Sequence, residues 1–324
     1  MKKSLVFIML LIGVLLASCS STNTSQQSTK LADENSLSEK PTIVTTFYPV
    51  EEISKAILGD TANVEVLVGS GVEPHSYEPT PTQIIELSKA DSFVTMDGMF
   101  EHIEEAIIEA NPSIKVIPAT QNLPLLKNEE EDEHDHEDEE HDEHEEEEHE
   151  HDHGEYDPHV WLSIENMKTM TQDVLDQLIV LYPEHKDMYE ANAKAYEEQL
   201  DELETQYTQT LSNCSQNIII VNHKAFAYLG HEYGFEQISV AGFTPESEPS
   251  PKAIQNVVDE AKEHSLKYVF SEGQIDPKTA QTIADDIGGE VLELYPIKMN
   301  ENQNYFSIMR TNLEKLAIGL ECSN

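Results

Sequence analysis

Positive charge is what this 324-residue chain has least of: 19 Lys and Arg stand against 63 Asp and Glu, a formal net charge of −44. One acidic run supplies 18 of those acids, and without it the remainder still carries −26. Phosphate binding needs clustered cations, so this balance excludes nucleic acid as a partner and fits a surface that attracts cations. Cysteine is nearly absent as well. The three residues, Cys19, Cys214 and Cys322, provide no thiolate cluster, which disfavours a soft Cu(I) site. Apolar content is a low 38%, and the apolar run Leu5–Leu16 is too short to cross a bilayer as a stable helix.

What is present begins with that run. Lys2 and Lys3 precede it and LASC, Leu16 to Cys19, closes it, the layout of a secretory signal. Small residues followed at once by cysteine resemble a bacterial lipobox, in which the cysteine is acylated and becomes the new N-terminus. The expectation is a lipoprotein signal peptide over 1–18, a lipidated Cys19 and a polar tether over 19–40. The plainer alternative is an ordinary secretory signal with an incidental cysteine. In an exported protein disulfides persist, so Cys214 and Cys322 either pair or stand as two thiols.

From residue 41 short apolar runs alternate with amphipathic stretches. TIVTTFY, NVEVLVGSG, DSFVTMD and SIKVIPA read as strands separated by helices, and NIIIVNH, QISVAGF, KYVFSEG and EVLELYP repeat the pattern nearer the C-terminus. Such alternation predicts parallel sheets covered by helices. Between the two blocks lies a mostly polar helical stretch, 184–211, which at ~1.5 Å per residue reaches roughly 40 Å. The expected class is α/β: an N-terminal lobe over 41–183 that includes an acidic loop at 128–154, a connecting helix over 184–212, and a C-terminal lobe over 213–324.

In open α/β sheets ligands bind beyond the carboxyl ends of the strands. Three histidines fall there: His75 in PHSYEPTP, His159 in DPHVWLS and His223 at the end of NIIIVNH. One such residue alone reads as a hydrogen-bonded loop histidine. Three, two in one lobe and one in the other, read as a metal cleft. Imidazole suits Zn²⁺, Cu²⁺, Ni²⁺ and Fe²⁺, whereas Mn²⁺ prefers oxygen; three histidines with one oxygen make a tetrahedral zinc set, which puts zinc first.

With PHSYEPTP, DPHVWL, VNHKAFAYLG, AGFTPESEPSP and FSEGQIDPKTAQTIADDIG on the page, the chain resembles the zinc-binding solute-binding lipoproteins of metal ABC importers, a group that also includes manganese binders. The likeness runs from about residue 41 to 320. It implies two lobes joined by a long rigid helix, Zn²⁺ held in the cleft by His75, His159 and His223, and a monomer anchored by lipid to the outer face of the membrane that serves an ABC permease and its ATPase. A histidine at the third position, His223, favours zinc over manganese or iron. Where the family often has a carboxylate as fourth ligand, this chain has Lys298, whose ammonium repels a dication. Water, Glu301, a histidine from the acidic run and Glu272 remain for that place, Glu272 fitting better as a partner that orients a histidine.

The acidic run, 129–153, contains only Glu, Asp and His, including His134, His136, His141, His144, His149, His151 and His153. HEHDH at 149–153 matches a zinc-protease signature, but without an apolar face nothing would bury such a helix. The run reads as a solvated segment whose many weak sites raise the local metal concentration beside the cleft. Two further readings stand against the receptor. A zinc hydrolase would need an open coordination position and a placed base, and a surface adhesin or metal buffer would not explain ligands on both lobes.

Overall fold

The computed structural model describes residues 40–69, 72–75, 77–96, 101–127, 156–241, 249–272, 278–297 and 303–323. The signal segment, Cys19, the tether up to residue 39, the acidic run with its seven histidines, Lys298 and Glu301 lie outside the described residues.

Two four-stranded parallel sheets organise the fold. The first contains β1 (Thr42–Thr45), β2 (Asn63–Val66), β3 (Ser92–Thr95) and β4 (Lys115–Pro118), in the order β2-β1-β3-β4. The second contains β5 (Ile218–Val221), β6 (Glu236–Ser239), β7 (Tyr268–Ser271) and β8 (Glu290–Glu293), in the order β6-β5-β7-β8. Sequence follows position. The central strands TIVT, SFVT, IIIV and YVFS are largely buried, as strands covered on both faces must be. The outer strands NVEV, KVIP, EQIS and EVLE carry charged or amide side chains and leave residues exposed. In each sheet the chain leaves the first strand to one side and returns on the other. This puts a topological switch point between β1 and β3 and another between β5 and β7, where a crevice forms beyond the strand ends.

The helices start where local chemistry tells them to. Thr80 and Gln83 close a capping box on α2 (Pro81–Leu87), and Ser250 accepts from the Ala253 amide at the start of α7 (Pro251–Glu263); each has proline in its first turn. Ser163 and Asn304 cap α4 (Ile164–Leu181) and α9 (Tyr305–Gly319) in the same way. After β5 the helix α6 is short (Ala227–Tyr233) and ends at Gly234 with φ 79°. Residues 222–226 form its approach loop, so His223 sits on a loop and not on the helix.

The long helix joining the lobes, α5 (Lys186–Leu211), follows a 3₁₀ turn at Pro183–His185. Its polar composition hides a narrow buried stripe: Tyr189, Ala193, Tyr196, Leu200, Leu203, Tyr207 and Leu211 recur at spacings of three and four. That stripe packs on α4, on α9 and on α1 (Tyr48–Leu58), so α5 is bedded against elements of both lobes along its length. Cys214 and Cys322 form a disulfide across 108 residues. Beside it Gln216 N–H donates to Leu320 O (3.0 Å), fastening the end of α9 to the approach to β5. Among the described residues no helix is long and apolar enough to cross a membrane.

Candidate metal centre

His75, His159 and His223 come from three separate loops and meet. His75 follows β2, His159 precedes the 3₁₀ turn Val160–Leu162 that leads into α4, and His223 follows β5. The Nε2 atoms of His75 and His159 are 3.2 Å apart. Two nitrogens bound to one tetrahedral zinc at ~2.0–2.1 Å stand roughly 3.3 Å apart, so this pair has the spacing of co-ligands. His159 is the shared member: its ring centroid is 5.1 Å from that of His75 and 5.3 Å from that of His223. Among the described residues no three His, Cys, Asp or Glu side chains yet surround one point as a bound ion would hold them. The geometry is thus one near-ideal pair with a third ring alongside.

Each of the two fully buried rings is held from behind. His159 Nδ1 lies 2.7 Å from Asp157 Oδ1, and the same oxygen accepts from the His159 amide at 2.9 Å. His223 Nδ1 faces Glu272 Oε1, and Glu272 is itself 94% buried. A carboxylate that accepts a hydrogen bond from Nδ1–H leaves the Nε2 lone pair for a metal and fixes the ring plane. The second sheet's switch point explains the pairing: β5 and β7 are neighbours, so the residues just past their ends, His223 and Glu272, emerge side by side. His75 is less enclosed, its side chain 10% exposed, and the Glu73 carboxylate accepts from its amide at 3.2 Å.

Sequence reasoning did not single out Asp157, Trp161 or Tyr228. Asp157 could have been found from the D-x-H spacing in DPHVWL, which brings a carboxylate back onto the ring two residues on. Trp161 is fully buried, its ring 5.2 Å from His159 and packed edge-on to Phe47 at 4.8 Å. Its Nε1–H donates to Pro296 O in the second lobe at 2.7 Å, and the Tyr305 hydroxyl donates to Trp161 O at 3.1 Å. Tyr228 on α6 donates to Asp157 O at 3.0 Å. Burial, reinforced by the Asp157 charge, pushes this phenol up to about 12, so it stays protonated and keeps donating.

Comparison with known proteins completes the picture. Residues 43–319 match the family profile ZnuA, zinc-uptake complex component A periplasmic. The chain belongs to the ZnuA family. It is 36% identical over 326 aligned positions to the zinc-binding protein AdcA of Streptococcus pyogenes serotype M3, covering 98% of this chain but only 62% of AdcA. The chain therefore spans less than two thirds of that relative. The high-affinity zinc uptake system protein ZnuA of Bacillus subtilis is 34% identical, with 97% of each sequence covered. Among solved structures, the Zn(II)-bound ZnuA-like domain of Streptococcus pneumoniae AdcA is similar, with a TM-score of 0.72 at 32% identity, covering 87% of this chain and 99% of that one. The two-lobed α/β architecture read from the alternating runs is that of the ZnuA structures.

If Glu272 orients His223, Glu272→Gln leaves the shape intact and removes the charge behind the ring. Zinc affinity should then fall by about 10–100-fold, read by competition with a chromophoric chelator. An unchanged affinity would remove Glu272 from the account of this site.

Proposed function

We propose that the protein is an extracytoplasmic receptor that captures Zn²⁺ on His75, His159 and His223 and passes it to an ABC permease driven by its ATPase. The observation that carries this reading is the 3.2 Å separation of the His75 and His159 Nε2 atoms, beside a third carboxylate-backed imidazole. A set of three imidazoles favours zinc over manganese, and the names of the AdcA and ZnuA relatives point the same way. The fourth place falls to water, to Glu301 or to a histidine of the acidic run, since Glu272 is engaged on the far nitrogen of His223. The ion is cargo, to be held and then released, and the reading assigns the protein no catalytic step.

In this reading the chain is exported, anchored by lipid at Cys19 to the outer face of the cytoplasmic membrane, and works as a monomer. The acidic run acts as an antenna. Its 7 histidines and 18 acids offer many weak sites that raise local metal concentration and capture rate. The run joins the body at Lys127 and Tyr156, which pair as an antiparallel bridge one residue from Asp157. That bridge, next to the residue that orients His159, supports an antenna based beside the proposed ligands.

Metal content by mass spectrometry with a competition titration tests the assignment. The mature protein should hold one tight zinc and several weak ones. The variant His75→Ala/His159→Ala/His223→Ala should keep only the weak ions, and deletion of 129–153 should keep only the tight one. Tight zinc surviving the triple substitution would place the site in the acidic run instead. Loss of the tight ion on deletion would end the antenna reading.

A further inference from the structure

The base of the acidic run is completed by the opposite lobe. Leu126 and Asp157 face each other one step below the Lys127–Tyr156 bridge. In an antiparallel ladder such a pair exchanges two N–H···O bonds. Here one is direct: Asp157 N–H donates to Leu126 O at 2.9 Å. The other is interrupted. Leu126 N–H donates to the Tyr228 hydroxyl at 2.9 Å, and that hydroxyl donates to Asp157 O at 3.0 Å. A phenol from α6, 4% exposed, has taken the position of the missing ladder bond. Tyr228 is five residues past His223, and Asp157 holds His159 by ring and amide.

We propose that Tyr228 is an interlobe latch: its hydroxyl bonds the lobe carrying His223 to the backbone of Asp157, and thereby fixes His159 for the metal and slows metal release. The proposal rests on the zinc site assigned above. Tyr228 is a positioning residue, since it reaches the metal only through Asp157 and His159. Separating the lobes takes the phenol from the Leu126 amide and the buried Asp157 carbonyl at once, so the loss of both hydrogen bonds opposes the opening that release requires. The latch therefore acts on dissociation, the step through which related affinities mostly differ.

The test uses the mature protein, Tyr228→Phe and, as a control on the same helix, Tyr233→Phe, with Zn²⁺ as the probe. Each is loaded with one zinc and mixed with excess chelator to time release, and hydrogen exchange is followed at the Leu126 amide. Tyr228→Phe should still bind one tight zinc, release it about tenfold faster, and lose protection at Leu126, while Tyr233→Phe matches the parent in both. Equal release rates for parent and Tyr228→Phe would overturn the latch, as would equal acceleration by both variants, which would mark general loosening of α6. A parent protein that binds no tight zinc would instead defeat the site assignment itself, so the two failures are distinct.

Discussion

If the proposed receptor reading holds, replacing His159 with alanine should cost the protein its tight zinc ion, lowering affinity by roughly a hundred- to a thousandfold. A four-ligand zinc site is worth about 10–16 kcal/mol, so one ligand in four carries roughly 2.5–4 kcal/mol, at tenfold per ~1.4 kcal/mol. His159 is the severest single choice because it is the ring both others adjoin. Its loss also leaves Asp157 beside a cavity without the imidazole it orients. The measurement is a competition titration of His159→Ala against the parent. His264→Ala, at the exposed end of α7, serves as a control that should bind like the parent. Thermal unfolding of the metal-free proteins separates loss of a ligand from loss of fold. An affinity within a few fold of the parent, in a folded variant, would remove His159 from the ligand set.

The architecture was legible because its signals are local. Runs such as IIIV and YVFS declare buried parallel strands, and Ser250-Pro251 and Thr80-Pro81 declare helix starts, within a handful of residues each. The three histidines stood out for the same reason: each lies just past an apolar run or a short motif, on the side of the sheet where ligands bind. The setting of α5 was harder to read. Its buried stripe is written in Tyr, Ala and Leu among charged residues, so composition suggested a polar bridge while spacing held the packing. What was not legible joins distant residues. The Cys214–Cys322 disulfide spans 108 positions, and Trp161 finds Pro296 O across 135. The Tyr228 hydroxyl stands in for a backbone bond, a role no residue pattern encodes. Trp161 and Tyr228 adjoin His159 and Asp157, so the candidate ligands were legible without the groups that hold them in place.

Trp161→Ala should be the most destabilising single substitution near the cleft. The side chain is fully buried, braced by Phe47 from the first lobe and hydrogen-bonded to Pro296 O in the second. Truncating a buried tryptophan costs about 3–5 kcal/mol through lost burial and the cavity left behind. At roughly 2–4 °C per kcal/mol for a domain of this size, the midpoint of thermal unfolding should fall by about 6–20 °C. Trp161→Phe divides the effect. Phenylalanine retains most of the packing against Phe47 but leaves the Pro296 carbonyl without its donor, a penalty of about 1–3 kcal/mol. If the indole N–H joins the lobes, the metal-free Trp161→Phe protein should melt well below the parent. Its zinc affinity should fall too, because the residue that packs beside His159 has lost its hold on the second lobe. If Trp161→Phe melts with the parent while Trp161→Ala does not, the tryptophan acts through its volume alone, and the cohesion of the lobes at the cleft belongs to Tyr228, Tyr305 and the bedding of α5.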